Sequence, residues 1–326
     1  DVYCQILRYA KELLDTNQTV TKREIFYRDV RLFKNQATVD AAVEDLACAF
    51  GVPRFCLRIV ASAKGLVYGN LTLRLKDGSC VDCSQGSDGT LIPPTEQIAG
   101  LQTDARFVLV IEKDATFRTL LDHGFADTHG PCVLVTGKGY PDVATRQLVR
   151  RLSEMKLSQS SLHDSTDSDT FASQPAEFDA SSSQSNENSG LRIPALALVD
   201  CDPHGIEIFL CYKLGSESLA FDRGTLACPS LRWLGIRPTD WTTAGDEAEN
   251  LLDSPVLLPL TPHDRRKITS ILRRPALRTL PGVKRQLSRM MRYNRKSEIQ
   301  ALEAGLLAHN YLPRRIAEET LGSSRH

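Results

Sequence analysis

The sequence predicts an α/β protein (α+β, two domains) in which a helical N-terminal domain precedes a domain with a mostly parallel sheet. Residues 106–111 and 193–199 are short apolar runs rich in branched side chains, which is typical of strands buried on both faces. A helical pattern follows each run. Helically spaced apolar residues near the N-terminus predict the first domain. We place it at residues 1–90 and the sheet domain at residues 100–326, joined through the Gly- and Ser-containing segment 78–89.

Length and composition are typical of a soluble folded protein. The chain has 326 residues and 41% hydrophobic residues, enough for two domains and a sizeable core. No run of eighteen apolar residues occurs, so no membrane span is predicted. The nine cysteines are scattered and indicate reduced thiols in an intracellular protein, because the one close pair, Cys80 and Cys83, is weak evidence for zinc. The chain begins at Asp1 without a methionine, and we therefore expect a longer native N-terminus.

The charges are balanced overall but unevenly distributed. Forty basic and forty acidic side chains cancel, yet residues 265–296 contain twelve Lys or Arg and no Asp or Glu. Such a run is often a solvated helix face. Its concentration in a neutral chain favours contact with a DNA backbone instead, through candidates that include Arg273, Arg274 and Lys284.

The N-terminal segment has the pattern of a winged-helix domain. A helix is predicted at residues 2–15, a second at residues 22–33 with a capping box formed by Thr21 and Glu24, and a third from Thr38 to Gly51. Alternating residues in segments 57–60 and 66–75 predict a strand or hairpin wing. This pattern suggests binding to a nucleic-acid duplex only by analogy of fold.

Tyr27 stands out within the second predicted helix. Arg23 precedes it by four residues and lies on the same helical face, so that a guanidinium can reach the phenol or a phosphate beside it. A tyrosine has a reference pKa of about 10, and a neighbouring cation would favour the phenolate form that attacks phosphorus. The alternative is that Phe26 and Tyr27 form a core aromatic pair covered by Arg23.

Acidic residues follow both buried strands. Glu112 ends the first strand, and Asp200 and Asp202 follow the second. The carboxyl ends of parallel strands form one edge of a sheet, and residues two apart in an extended chain point to the same side. Oxygen ligands suit Mg²⁺, with Mn²⁺ as a substitute. The alternative is that these acids only cap the helices that follow. The arrangement resembles the Toprim fold of type II topoisomerases and primases.

Seven sequence blocks, in order and over nearly the whole chain, resemble the A-subunit family of topoisomerase VI. The eukaryotic branch, the meiotic DNA double-strand-break transesterases, is the most similar. The blocks are KREIFYRDV (22–30), AKGLVYG (63–69), VIEKDATF (110–117), TGKGYPDVATR (136–146), DCDPHG (200–205), LRWLG (231–235) and KSEIQAL (296–302).

This resemblance implies a metal-dependent DNA transesterase. Tyr27 would attack a phosphodiester and remain linked to the 5′ end, with Arg23 as its helper. The metal-binding acids would be Glu112, Asp200 and Asp202. The resemblance also implies DNA contacts at Lys64, Gly65, Lys138 and Tyr140.

The resemblance further implies a nuclear protein that acts as a homodimer on double-stranded DNA, since one tyrosine cuts one strand. We expect its partners to be recombination accessory proteins and a B-like topoisomerase VI subunit. We expect no association with a membrane. One alternative is a topoisomerase VI A-type protein that reseals DNA. Such a protein would need an ATPase partner, because no ATP-binding motif occurs in this sequence. Another alternative is a non-catalytic winged-helix DNA-binding protein.

Residues 157–190 interrupt the predicted sheet domain with a Ser-, Asp-, Gln- and Asn-rich tract. It has few apolar residues and predicts a disordered insertion, with Leu162, Phe171 and Phe178 as docking points if it is more than a surface loop. Downstream, helical patterns are predicted at residues 244–253, 262–272 and 283–293.

Overall fold

The structure is a computed structural model that describes residues 1–52, 54–60, 62–157, 191–215, 223–242 and 257–321. The predicted insertion, apart from Leu157, and the predicted helix at 244–253 lie outside the described residues. None of the described helices is long and apolar enough to cross a membrane. The buried apolar side chains of the described residues form two clusters, one within residues 6–59 and the other within residues 66–316.

The strands are β1 (Val20–Thr21), β2 (Ile59–Val60), β3 (Leu66–Gly69), β4 (Thr72–Leu75), β5 (Cys80–Asp82), β6 (Thr90–Leu91), β7 (Ile98–Gln102), β8 (Phe107–Ile111), β9 (Cys132–Thr136), β10 (Ala195–Leu198), β11 (Arg232–Gly235), β12 (Leu258–Pro259) and β13 (Arg295–Lys296). The α-helices are α1 (Val2–Asp15), α2 (Lys22–Arg28), α3 (Val30–Phe33), α4 (Gln36–Phe50), α5 (Asp114–Asp122), α6 (Phe125–His129), α7 (Val143–Glu154), α8 (Pro203–Leu214), α9 (Arg223–Leu226), α10 (Thr239–Thr242), α11 (Pro262–Arg273), α12 (Pro281–Tyr293), α13 (Ala304–Leu306) and α14 (Leu312–Leu321). A π-helical turn, Leu307–Tyr311, joins α13 to α14.

The N-terminal helices form as the sequence predicts, with one break. Thr21 and Glu24 make the predicted capping box at the start of α2. The predicted second helix is divided at Asp29, whose backbone leaves the helical region and whose side chain accepts a hydrogen bond from the Leu32 N–H. Gly51 ends α4 in the left-handed conformation, where a residue without a Cβ is favoured.

The predicted strands form in segments 57–60 and 66–75, but they do not pair with one another as a hairpin. β2 pairs in parallel with β1, whereas β3 pairs antiparallel with β9 and β6, and β4 lies between β5 and β7 in a separate three-stranded sheet. Residues 66–90, predicted to lie in the first domain, therefore pack with the second. Leu66, Val67 and Leu73 belong to the core of the second cluster. Alternation identified the strands, but it carries no information about their partners.

The second cluster is built on a six-stranded sheet with the order β11-β10-β8-β9-β3-β6. β11, β10, β8 and β9 are parallel, and β3 and β6 add an antiparallel edge. The prediction of a mostly parallel sheet is confirmed. All five residues of β8 and all four of β10 are buried. Ile111 lies beside Leu198 in the ladder, so the residues that follow these two strands emerge at the same edge.

Candidate active site

Glu112 and Asp200 meet at this edge of the sheet. Glu112 Oε2 accepts a hydrogen bond of 2.8 Å from the Asp200 N–H. The two residues are only 9% and 4% exposed, respectively. The predicted proximity of the acids that follow the two strands is therefore present for this pair.

Burial raises the pKa of both acids. Burial, and next the negative charge of Asp200, raise the pKa of Glu112 to about 8. Burial also raises the pKa of Asp200, although hydrogen bonds from Lys113 and the Ile299 N–H oppose the shift. Two buried carboxylates at one point of a protein favour a nearby cation.

Lys113 provides one such cation. Its Nζ lies 2.7 Å from Asp200 Oδ2 and 3.0 Å from Glu298 Oε2, and it also donates to Gln300 Oε1. Burial alone would lower the pKa of Lys113, but the hydrogen bonds to Asp200 and Glu298 raise it, so the ammonium form is retained. No local sequence pattern marked Lys113 as a site residue, although it directly follows Glu112 in the VIEKDATF block.

A C-terminal segment closes the other side of the acid pair. Asp200 Oδ1 accepts a hydrogen bond of 2.8 Å from the Ile299 N–H. The backbones of Cys201 and Ser297 exchange two hydrogen bonds, of 2.9 and 3.1 Å. The sequence analysis assigned no site residue here, and the only signal was the KSEIQAL block.

Asp202 takes a different role from Asp200 in the structure. Its Oδ1 accepts a hydrogen bond of 2.7 Å from the Gly205 N–H and caps α8, as the alternative interpretation proposed. A Cβ at Gly205 would lie 2.4 Å from the Asp200 carbonyl oxygen and 2.9 Å from Glu112 Oε2. The first turn of α8 therefore lies directly against both buried acids.

The donor chemistry of this edge suits a divalent cation. All three acids offer oxygen, the ligand that Mg²⁺ prefers, and the charge of Asp202 contributes to the raised pKa of Glu112. As the side chains stand, no group of three or more His, Cys, Asp or Glu among the described residues has metal-binding spacing. Asp202 caps α8 and Lys113 contacts Asp200, so a metal ion would have to replace these intramolecular contacts.

The loop that follows β9 lies over the end of Glu112. The Gly139 N–H donates to the Glu112 carbonyl oxygen at 2.8 Å. Lys138 has a φ of 52°, uncommon for a residue other than glycine, and its Nζ lies 3.5 Å from Asp114 Oδ1. Lys64 Nζ donates to the Lys138 carbonyl oxygen at 3.2 Å. Lys64 and Lys138, both predicted DNA contacts, thus lie together beside the acids.

The carboxylate of Asp142, which the sequence analysis missed, fixes this loop. Its Oδ2 accepts from the backbone N–H groups of Lys64 and Gly65 at 2.8 and 3.3 Å. Its Oδ1 caps α7 by accepting from the N–H and hydroxyl of Thr145. A Cβ at Gly65 would lie 1.9 Å from the Thr145 hydroxyl, which explains the glycine at that position. The available signal was an Asp, a residue type favoured at helix N-caps, within the TGKGYPDVATR block.

Glu207 of α8 brings together two other predicted DNA contacts. The Tyr140 hydroxyl and the Arg274 guanidinium both donate to its carboxylate, and Lys267 forms an ion pair with it. Arg273 and Lys284 are exposed on α11 and α12, apart from this network. Sequence spacing gave no signal for Glu207, because its partners come from distant segments.

Tyr27 is 60% exposed, so the interpretation of Tyr27 as a core aromatic is wrong. Arg23 Nη2 donates to the Tyr27 hydroxyl at 3.4 Å, and the guanidinium lies 5.8 Å from the ring centroid. The predicted juxtaposition on one helical face is present. Tyr27 belongs to the N-terminal unit, whereas Glu112 and Asp200 belong to the unit with the central sheet.

Comparisons with known proteins identify the family. A family described as "Type IIB DNA topoisomerase" matches residues 1–59, and the Toprim domain of the topoisomerase 6 A-subunit/Spo11 family matches residues 107–188 and 185–316. Meiotic recombination protein SPO11 of Mus musculus is 39% identical over 95% of this chain and 68% of its own length, and that of Homo sapiens 37% over 96% and 69%. The DNA topoisomerase 6 A-subunit of Arabidopsis thaliana is 33% identical over 97% of this chain and 65% of its own length. The predicted Toprim fold is thereby confirmed, and the chain belongs to the topoisomerase 6 A-subunit/Spo11 family of type IIB topoisomerase-like, DNA-cleaving enzymes.

Proposed function

We propose that this protein is a metal-dependent DNA transesterase that makes double-strand breaks to initiate meiotic recombination in the nucleus. The observation that carries the proposal is an exposed tyrosine, Tyr27, with the guanidinium of Arg23 on its hydroxyl, in a chain that also holds a buried acid pair at the ends of parallel strands. The mouse and human relatives are named as meiotic recombination proteins, which supports the biological setting.

In the proposed reaction, the Tyr27 oxygen attacks phosphorus and the bond from phosphorus to the 3′-oxygen breaks. The phenol loses its proton, the 3′-oxygen gains one, and the 5′-phosphate remains bonded to Tyr27. Arg23 would stabilise the charge that grows on the attacked phosphate. A divalent cation, Mg²⁺ or Mn²⁺, held by Glu112, Asp200 and Asp202 would stabilise charge on the phosphate and on the 3′-oxygen.

The decisive experiment is a search for the covalent adduct. The protein is incubated with labelled duplex DNA and Mn²⁺ or Mg²⁺, denatured, and tested for label that stays with the protein until protease treatment. We expect an adduct at the 5′ end. Duplex binding without any adduct in either metal would contradict this proposal and favour a non-catalytic winged-helix DNA-binding protein.

We further propose that the predicted cations bind the DNA backbone, with Lys64, Gly65, Lys138 and Tyr140 near the acids and Arg273, Arg274 and Lys284 on the C-terminal helices. The exposed positions of Arg273 and Lys284 support this assignment. Each lost phosphate contact lowers the slope of log affinity against log salt by about 0.9. Replacing Arg273 and Lys284 by Gln should therefore reduce the magnitude of the slope by about 1.8. An unchanged slope would show that these residues belong to a solvated helix face and do not contact DNA.

The proposed active site is shared between two protomers of a two-fold dimer. Tyr27 and the acids lie in different units of the chain, and a double-strand break requires two tyrosines. In a mixture of Tyr27→Phe and Glu112→Gln protomers, a shared site gives the mixed dimer one complete centre, which should nick one strand. Absence of nicks from a mixture shown to contain DNA-bound heterodimers would exclude the shared site.

A second candidate is a topoisomerase 6 A-type protein that reseals the break. The relative in Arabidopsis thaliana with that name supports it. Such a protein would need an ATPase partner, whereas a recombination enzyme would act with accessory proteins and a B-like subunit. Relaxation of supercoiled DNA in the presence of an ATPase partner would favour the topoisomerase, and persistent breaks would favour the recombination enzyme.

A further inference from the structure

Lys113 stands apart from the cations proposed to bind DNA because its charge is directed into the acid site. Its side chain is only 24% exposed. The ammonium group has three N–H donors and three acceptors here, Asp200 Oδ2, Glu298 Oε2 and Gln300 Oε1. Lys113 therefore occupies the oxygen of Asp200 that faces away from the Ile299 N–H.

Both carboxylate oxygens of Asp200 thus have partners within the chain. Oδ1 accepts from the Ile299 N–H and Oδ2 contacts the Lys113 ammonium. Mg²⁺ binds oxygen at roughly 2.0–2.1 Å, and an ammonium on the same oxygen would lie within a few ångströms of it. Two cations at that range in a partly buried site repel each other strongly. Lys113 and a metal ion therefore compete for Asp200.

The chain offers Lys113 a second position. Glu298 and Gln300 accept from the same ammonium, and they belong to the segment that the Cys201–Ser297 hydrogen bonds hold against the acid loop. The Glu298 side chain is 52% exposed, so it can follow a small movement of the ammonium. An ammonium that leaves Asp200 would still keep an anionic partner and an amide oxygen.

We propose that Lys113 is an internal cation that occupies Asp200 when no metal is bound, and that it moves fully onto Glu298 and Gln300 when a divalent cation binds. The inference rests on the proposed function, because it assumes that Glu112 and Asp200 hold the metal. Lys113 is then a positioning residue, and metal binding is an exchange of one cation for another. The affinity of the site for a metal ion is then set by Lys113 and Glu298 as well as by the acids.

The first test measures metal affinity and stability in solution without DNA. Mn²⁺ is titrated into the protein and free Mn²⁺ is followed by electron paramagnetic resonance, while thermal unfolding is recorded in EDTA. Lys113→Met keeps the apolar stem and removes the charge. If Lys113 blocks Asp200 about nine-tenths of the time, removal should tighten Mn²⁺ binding about tenfold. The melting temperature in EDTA should fall and Mn²⁺ should restore it.

A matched control separates competition from a general change of charge. Lys138→Met removes the same charge from the same edge of the sheet, but Lys138 contacts Asp114 and not Asp200. We expect this control to change Mn²⁺ affinity only slightly, and less at higher salt, because a long-range field is screened. The effect of Lys113→Met should persist at high salt. Lys113→Gln, which keeps a donor for Asp200, gives the same comparison if the Met variant does not fold.

The second test is a double-mutant cycle with Glu298→Gln. In the unmodified protein this change should weaken Mn²⁺ binding severalfold, because Lys113 loses its receiving anion. In the Lys113→Met background it should have little effect, since no ammonium needs a second position. Glu303→Gln, an exposed acid of the same segment, is the control and should change neither background.

The outcomes separate this inference from the proposed function. If Lys113→Met leaves Mn²⁺ affinity unchanged or weakens it, while Glu112→Gln still abolishes metal binding, the inference is wrong and the metal assignment stands. Equal effects of Glu298→Gln in both backgrounds would also overturn it. If Glu112→Gln leaves Mn²⁺ binding unchanged, the metal assignment is wrong and the inference is excluded with it.

Discussion

Two regions of the molecule differ in how many contacts the rest of the chain makes with them. One is the helix of Tyr27, and the other is the sheet edge of Glu112 and Asp200. Tyr27 is 60% exposed, and its hydroxyl has one hydrogen bond within its own helix, at 3.4 Å. Asp200 is 4% exposed and is contacted from the strand end of Glu112 and Lys113 and from the segment of Ile299. The exposed tyrosine is held by few contacts within its own chain, whereas the acids are positioned by several elements of the fold. Changes at Tyr27 should therefore affect activity alone, and changes around the acids should affect stability as well.

The strongest test of this difference is Tyr27→Phe. We expect adduct formation to fall at least about a thousandfold, because the proposed nucleophile is lost, and the free energy of unfolding to stay within about 0.5 kcal/mol of the unmodified protein. Tyr3→Phe is the matched control, since Tyr3 is also an exposed tyrosine of the N-terminal unit and donates to Asp45. It should retain full adduct yield. Equal yields from the two variants would remove Tyr27 from the proposed reaction.

The next largest effect is expected at Glu207, which ties the loop of Tyr140 to the basic helices. Burial alone would raise its pKa, but hydrogen bonds from Lys267, Tyr140 and Arg274 lower the pKa to about 2. The folded-state pKa lies below the unfolded value, so this carboxylate stabilises the protein above an unfolded pKa of about 4.3, and the contribution is lost as pH falls toward 2. Glu207→Gln should lower the free energy of unfolding by at most about 3 kcal/mol at pH 6.

Denaturant titrations at pH 6, 4 and 3 would measure this difference. It should shrink as pH falls, because the unmodified protein loses the same contribution. Glu24→Gln changes an exposed carboxylate of the N-terminal unit and provides the comparison from the other region. A difference for Glu207→Gln that is constant with pH would show that lost packing, and not charge, causes it.

A smaller effect is expected where α8 meets the acids. Gly205→Ala would bring a Cβ within 2.4 Å of the Asp200 carbonyl oxygen and 2.9 Å of Glu112 Oε2. We expect a loss of about 2 kcal/mol in the free energy of unfolding and weaker Mn²⁺ binding. Gly282→Ala lies in the first turn of α12 with no neighbouring atom within 4 Å, and it should be neutral or slightly stabilising. Similar results for the two variants would show that the first turn of α8 is not tightly packed on the acids.

The smallest effect is expected at the start of α2. Thr21→Ala removes the hydroxyl that accepts from the Glu24 N–H and should cost about 1 kcal/mol. Because Tyr27 lies on this helix, the adduct yield of the variant should decline at a lower temperature than that of the unmodified protein. Thr19→Ala, at an exposed position before the helix, serves as the control. An unchanged melting temperature for Thr21→Ala would mean that packing on α4, and not the cap, fixes α2.

Sequence reasoning was most successful for features that are determined by residues close together in the chain. The predicted bounds of α1 agree with the structure, because apolar residues at helical spacing reveal a helix directly. The capping box of Thr21 and Glu24 is equally local. The strands before Glu112 and Asp200 were recognisable because strands buried on both faces need continuous apolar runs.

Sequence reasoning failed where a contact joins residues that are far apart in the chain. One partner of β3 is β9, more than sixty residues later, and the alternation in β3 does not encode this pairing. Lys113 meets Glu298 and Gln300 across separations of 185 and 187 residues, so its role was not apparent from the sequence around it. The same holds for the contacts of Asp142 with Lys64 and Gly65. Such contacts are specified by the folded sheet and not by local pattern.

The hydrogen bond between Asp200 and the Ile299 N–H also bears on how the enzyme is made. Its two residues are 99 positions apart, and a chain is synthesised and begins to fold from its N-terminus. Both buried acids are therefore translated before the segment that contacts Asp200. A chain cut after Lys296 should consequently show faster amide exchange at Asp200 than the full chain, and equal rates would show that this segment does not stabilise the acid pair. During synthesis, the proposed acid site therefore lacks this hydrogen bond until the segment around Ile299 has been translated.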